Sequence, residues 1–291
     1  MAAIINTNLA SLNAQRNLST SQSALTSALQ RLSSGLRVNS AKDDAAGLAV
    51  ATRMDSIIRG SQVAIRNAND GISLAQTMED NISKIGDSFG RMRELAVQAA
   101  NGTIASTDRA NLQTEFAQMQ AEIVRVMSGA AFNGISLLDS GAAVAKGFSQ
   151  FDFQIGANAS GANVLSVSAA SWAGATFSVY TTDSATAGGS SGLEITTASA
   201  AASALSFLDS AIGQITTARA KWGAVQNRFD AIVSSLSTLV ENQSAAKSRI
   251  MDADFASETA NLTRGQILQQ AGTAMLAQAN ALPNNVLSLL R

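Results

Sequence analysis

Two stretches of this 291-residue chain hold residue types that could do chemistry. Gly188-Gly189-Ser190-Ser191-Gly192 has the Gly-x-Ser-x-Gly spacing of a hydrolase elbow, which would aim a serine hydroxyl at an acyl carbon. That serine needs a histidine to take its proton, and the chain has none. Its surroundings are low in complexity, so the stretch reads as a loop. Asp252-x-Asp254-x-x-x-Glu258 offers three carboxylates, the ligand type of a hard cation, without a glycine turn to shape them into a site. They read better as negative charge at the start of a helix, or as partners for cations at the opposite end of the chain. Cysteine is absent as well. That removes disulfides, thiol nucleophiles and, together with the missing histidine, the usual zinc sites. We therefore expect no enzyme: no catalytic residue, no metal, no cofactor and no small-molecule substrate. Asn-x-Ser/Thr triplets headed by Asn17, Asn81, Asn101, Asn158, Asn242 and Asn261 read mostly as chance in a chain this rich in such residues.

Charge bounds the partners. With 20 Lys and Arg against 21 Asp and Glu, the net charge of −1 exerts no pull on nucleic acid. Its distribution is uneven: residues 1–42 contain Arg16, Arg31, Arg37 and Lys42 and no acid. That composition mimics an organellar transit peptide over residues 1–35, a reading that leaves the other end of the chain unexplained. A cleavable secretory signal is not expected, since there is neither a basic n-region nor a continuous apolar block. Residues 265–290 carry no charge, but Gln266, Gln269, Gln270, Gln278, Asn280, Asn284 and Asn285 make a membrane span costly. If the two ends pair antiparallel, Arg31, Arg37 and Lys42 fall beside Asp252, Asp254 and Glu258. Exposed pairs of this kind are worth roughly 0–1 kcal/mol each, so their use would be register more than stability.

The elements follow from hydrophobic spacing. Leu18, Leu25 and Leu32 recur every seven residues, as do Leu29 and Leu36, and the two series together give the four-three spacing that predicts an amphipathic helix over 1–36. A joint follows, where Asn39 or Ser40 can cap a new helix with Asp43 and Asp44 in its first turn. From Val50 the same spacing runs to Ala99 with only Ser61 and Gly71 breaking it, which predicts one long helix over 43–100. Asn101-Gly102 ends it. A third helix starts at a cap on Ser106 or Thr107 and carries Leu112, Phe116, Met119, Ile123 and Val126. Asn133-Gly134 is a hairpin signal. Between about 135 and 200 the chain turns to Gly, Ser, Thr, Ala and Asn. Short alternating runs at 151–155, 164–167 and 177–180 predict strands, with a flexible linker as the alternative. Leu208, Ile212, Ile215, Trp222, Phe229, Val233, Leu236 and Val240 restore the heptads, broken by Arg219 and Gln226. After a second joint at Asp252 or Asp254, a last helix over about 257–282 carries Leu268, Ala271, Met275 and Leu282 on one face.

The fold class is thus mainly α: long antiparallel coiled-coil helices from both halves of the chain, with a small β-hairpin region between. The order is nearly palindromic, so the two ends meet only if the chain folds back. Each terminal helix has little of its own chain to pack on, which points to partner subunits. Two functions fit: a self-assembling filament subunit, or a soluble coiled-coil adaptor or membrane-surface binder using the cationic N-terminal helix.

The wording of several stretches is specific. The joint Leu32–Met54, the opening Ile4-Ile5-Asn6-Thr7-Asn8, the middle Arg93-Glu94-Leu95-Ala96-Val97-Gln98 and the ending Ala281-Leu282-Pro283-Asn284 resemble bacterial flagellin, the flagellar filament subunit, over roughly 1–140 and 205–291. The resemblance implies a secreted, extracellular protein of the bacterial flagellum that is exported unfolded, polymerises at the filament tip and gives motility. It implies terminal helices at 1–42 and 251–291 forming the filament inner core, and a helical rod domain at 43–250 with a small β region at about 132–200. Large outer domains are expected to be missing or vestigial. Subunit packing is then expected through Leu18, Leu25, Leu29, Leu32, Leu268, Met275 and Leu282. The implied partners are further copies of the chain, an export chaperone at the C-terminal region, and the filament cap and hook-junction proteins. The vertebrate innate immune receptor for flagellin is a further one. Its contact residues match Arg91, Leu95 and Glu115, while Gly90 stands where such flagellins usually carry glutamine.

Overall fold

The computed structural model describes residues 7–138, 150–158, 160–168 and 193–289. Five helices are α1 (Leu9–Ser34), α2 (Ala45–Ala100), α3 (Ser106–Gly129), α4 (Ala198–Met251) and α5 (Phe255–Leu289). Two antiparallel strand pairs lie between α3 and α4: β1 (Ala131–Phe132) with β2 (Ile135–Ser136), and β3 (Gln150–Gln154) with β4 (Val164–Ser168). The strand expected at 177–180 and the loop Gly188–Gly192 lie outside the described residues. The chain forms two compact units, one of residues 59–240 and one of residues up to 58 with those from 241 onward.

In the 59–240 unit every seam position of α2 from Ala64 to Ala99 is buried. Met78, Ile82, Ile85, Phe89 and Met92 pack with Phe116 and Ile123 of α3 and Leu208, Trp222 and Phe229 of α4. The period of the sequence thus becomes a continuous apolar stripe. Gly71, which breaks the pattern, is where Phe229 enters: a Cβ there would stand 2.5 Å from the ring's Cζ. Phe153 of β3 meets the same ring edge-on, with centroids 5.3 Å apart. The two polar breaks in the α4 seam share one carboxylate. Arg219 lies 3.5 Å from Glu79, and Gln226 donates to it at 3.3 Å. Arg109, in the first turn of α3, donates to the carbonyls of Ala99 and Asn101 at 2.8 Å each and so satisfies the end of α2. The third helix begins at Ser106 without a side-chain cap, where a Ser106 or Thr107 cap was expected. Asn133 (φ 49°) and Gly134 (φ 76°) turn β1 into β2 with Phe132 opposite Ile135, the left-handed two-residue turn that suits a twisted hairpin.

In the other unit α1 and α5 run antiparallel, as shown by Asn8 bonding to Ala279 at one end and Arg31 to Glu258 at the other. The joints pair by backbone. Gly35 ends α1 in the left-handed region (φ 71°), and its carbonyl accepts from Ala253 at 2.9 Å. Arg37 N–H donates to Met251 at 2.6 Å, and Leu36 bridges Asp252. Helix α2 starts later than expected. Asp43 stays outside it, accepting from the Asn39 and Ser40 amides and the Ser40 hydroxyl. Asp44 is the cap, accepting from Gly47 N–H at 2.8 Å. The α5 helix also runs through Pro283 to Leu289, past the expected end near 282.

Candidate functional site

The terminal pair α1–α5 holds most of the residues singled out for assembly. Its inner face is built by small residues of α5. A Cβ at Gly265 would stand 3.1 Å from Leu25 Cδ1, and one at Gly272 3.1 Å from Leu18 Cδ1. Ala279 and Glu258 are buried on the same heptad line, facing Ser11 and Ala28 of α1, also buried. Glycine and alanine let the two helices approach closely, and the large apolar residues expected to pack on other subunits stay largely exposed. Leu268 and Leu29 are each 49% exposed, Met275 66% and Leu9 67%; Leu12, Phe255 and Ile267 are exposed as well. Leu18, Leu25 and Leu32 are partly buried. The side chain of Leu282 lies outside the described residues. Sequence reading missed Gly265, Gly272 and Ala279; their seven-residue spacing was the available signal.

Of the six charges proposed to pair, the structure brings two together. Arg31, in the last turn of α1, lies 3.1 Å from Glu258, in the first turn of α5. Each also complements the dipole of its own helix. Arg37 crosses the joint to a backbone carbonyl, while Asp252 and Asp254 are employed on their own segment. Arg37 donates to the Ile250 carbonyl at 2.7 Å, Asp252 accepts from the Ser248 hydroxyl at 2.6 Å, and Asp254 accepts from Ala256 N–H at 3.0 Å as the cap of α5. Lys42 is exposed and makes no ion pair among the described residues. A carboxylate that caps or ties its own backbone has fewer lone pairs left for a distant cation. Among the described residues no group of three or more His, Cys, Asp or Glu is placed to hold a metal ion.

Arg91 and Glu115 meet on an exposed face of α2 and α3. Arg91 donates to Glu115 at 2.8 and 2.6 Å and to Glu94 at 2.8 Å. The bond to Glu115 first, and then that to Glu94, holds the guanidinium more firmly charged than usual. Leu95 is not part of this surface. It is 1% exposed and belongs to the core, three residues after Met92 and next to Ala96 on the inner stripe of α2.

Sequence comparison decides the family. The model of the bacterial flagellin N-terminal helical region matches residues 5–143, and that of the C-terminal helical region matches 205–290. This chain belongs to the bacterial flagellins. Its relatives include flagellin FlaB2 of Treponema pallidum, 41% identical over 99% of this chain and 100% of that one. Another is the flagellin of Bacillus subtilis strain 168, 40% identical over 99% of each. A crystal structure of Bacillus cereus flagellin is 30% identical and covers 62% of this chain and 94% of that one, with a TM-score of 0.48. As a flagellin, the chain is a structural subunit of the extracellular flagellar filament and associates with copies of itself. The adaptor and membrane-surface reading is not favoured. No helix among the described residues is long and apolar enough to cross a membrane.

Proposed function

We propose that α1 and α5 act as one assembly element, whose uncovered apolar face packs on the same element of neighbouring copies. Residues 1–42 and 251–291 would thereby form the inner core of the filament. The observation that supports this is the exposure of Leu9, Leu12, Leu29, Ile267, Leu268 and Met275 on two helices already paired with each other. Large apolar side chains exposed in such number mark an interaction surface. The charge-free stretch 265–290 suits burial, since it carries Gln and Asn but no ion to desolvate. The role is structural, with no catalysis in it. Export in the unfolded state, a chaperone at the C-terminal region, and cap and hook-junction proteins at the ends of the polymer accompany this reading through the family. Electron microscopy of full-length chain and of chains trimmed before residue 43 or after 250 tests it. Long tubes from the full chain alone are expected; tubes from either trimmed chain overturn it.

The exposed Arg91–Glu115 pair supports a second proposal, that the innate immune receptor for flagellin contacts this face in the monomer. Leu95 would then serve by backing α2 from within. Arginine is frequent among residues whose truncation costs 2 kcal/mol or more at an interface. Receptor signalling by monomer should fall about tenfold or more for Arg91→Ala; a silent parent chain ends the idea.

A further inference from the structure

The opening stretch meets the last helix in one hydrogen bond. Asn8, from the opening stretch, donates its side-chain N–H to the carbonyl of Ala279 at 2.8 Å. Ala279 is four residues before Pro283, and both lie within α5. In an α-helix the carbonyl of residue 279 accepts from the amide of residue 283. Proline has no amide hydrogen, so that donor is missing, and a carbonyl at a buried position needs another. Ala279 is 7% exposed, which keeps bulk water from supplying one. Asn8 also has a local duty. Its Oδ1 accepts from Ser11 N–H at 3.1 Å, capping α1. Beside it the buried Ser11 hydroxyl donates to Asn280 Oδ1 at 2.7 Å.

We infer that Pro283 marks the register of the terminal helices at the end away from the joint: by removing one donor from α5 it opens the Ala279 carbonyl as a socket, which Asn8 fills. The small residues along α5 give Leu18 and Leu25 holes at seven-residue spacing. Such a ladder repeats, so a slip of one heptad finds similar holes. A single carbonyl without its helical donor does not repeat. It marks one position, and it brings exposed Leu9 and Leu12 to a fixed height against the Met275 end of α5. Asn8 is in this sense a positioning residue.

The test is a double-mutant cycle on full-length chain, using Asn8→Ser, Pro283→Ala and both together. Serine caps a helix about as well as asparagine but is too short to reach Ala279. Hydrogen exchange in filaments reads the first turn of α1, and filament melting reads assembly. The effect on melting rests on the assembly role proposed above; the exchange result on filaments or monomer does not. Asn8→Ser alone should speed exchange in that turn about fivefold, the worth of one hydrogen bond. In the Pro283→Ala background the new amide takes the carbonyl, and Asn8→Ser should then change exchange less than twofold. A fivefold change in both backgrounds, or in neither, overturns the inference. A cycle that holds in exchange while melting is unmoved keeps the register claim and sinks the assembly role.

Discussion

At the scale of residues, the positions that break a pattern say most. Ser61 interrupts the apolar seam of α2, is fully buried, and has no partner for its hydroxyl among the described residues. Leaving such a group unpaired costs about 1–3 kcal/mol. Ser61→Ala should therefore stabilise the chain, raising the melting temperature of the monomer by a few degrees at about 2–4 °C per kcal/mol. A lower melting temperature would mean that the hydroxyl has a use. Asp43 makes the opposite case, since the Ser40 hydroxyl, the Ser40 amide and the Asn39 amide all donate to it. The Ser40 hydroxyl bond is the leading cause that holds its carboxyl below the ordinary value of 3.8. A lowered folded value means that its support of the joint is complete above that ordinary value, and is lost as pH falls through the lowered one. An NMR titration of the Asn39 and Ser40 amides should show one transition below pH 3.8, absent in Asp43→Asn. A transition at or above 3.8 contradicts this.

At the scale of elements, legibility in the sequence depended on what a helix packs against. The seam of α2 was readable because its inner face is apolar and its outer face is not; Ala64 to Ala99 are buried as the spacing requires. The β1–β2 turn was readable because Asn-Gly is the pair that tolerates positive φ. In helix α5 the same reasoning found an outward face and not the contact with α1. Its contact face is Gly265, Gly272 and Ala279, which a search for large apolar residues ranks last, while Leu268 and Met275 point outward. Leu95 was misplaced because a motif of the family does not reveal which way each member faces. The two joints were located to within a few residues, but not that Gly35 and Leu36 would bond to Ala253 and Asp252. That pairing joins positions far apart in the sequence, and no local signal encodes it. One consequence is testable on α5 alone. Gly272→Leu would drive a branched side chain into Leu18, and overpacking of this kind costs roughly 1–3 kcal/mol. Filaments of this variant should melt lower than the parent's. Equal melting would show that the helices do not approach as closely as described.

At the scale of the whole molecule, the chain sorts its apolar residues by destination. Within residues 59–240 the large ones are spent inward, with Phe89, Phe116 and Phe229 fully buried. In the terminal pair the small ones face inward and large ones remain outside, an arrangement that leaves apolar area for something other than the chain itself. As a flagellin the chain associates with copies of itself, and the proposal above assigns this face to that association. The most direct test replaces two of the exposed apolar side chains, Leu268→Glu with Met275→Glu. Polymerisation onto filament seeds is then followed by electron microscopy, with circular dichroism of the monomer as the control for folding. We predict a helical monomer like the parent's that fails to extend seeds. Filaments of normal length and yield from this variant would contradict the assembly role of the α1–α5 face.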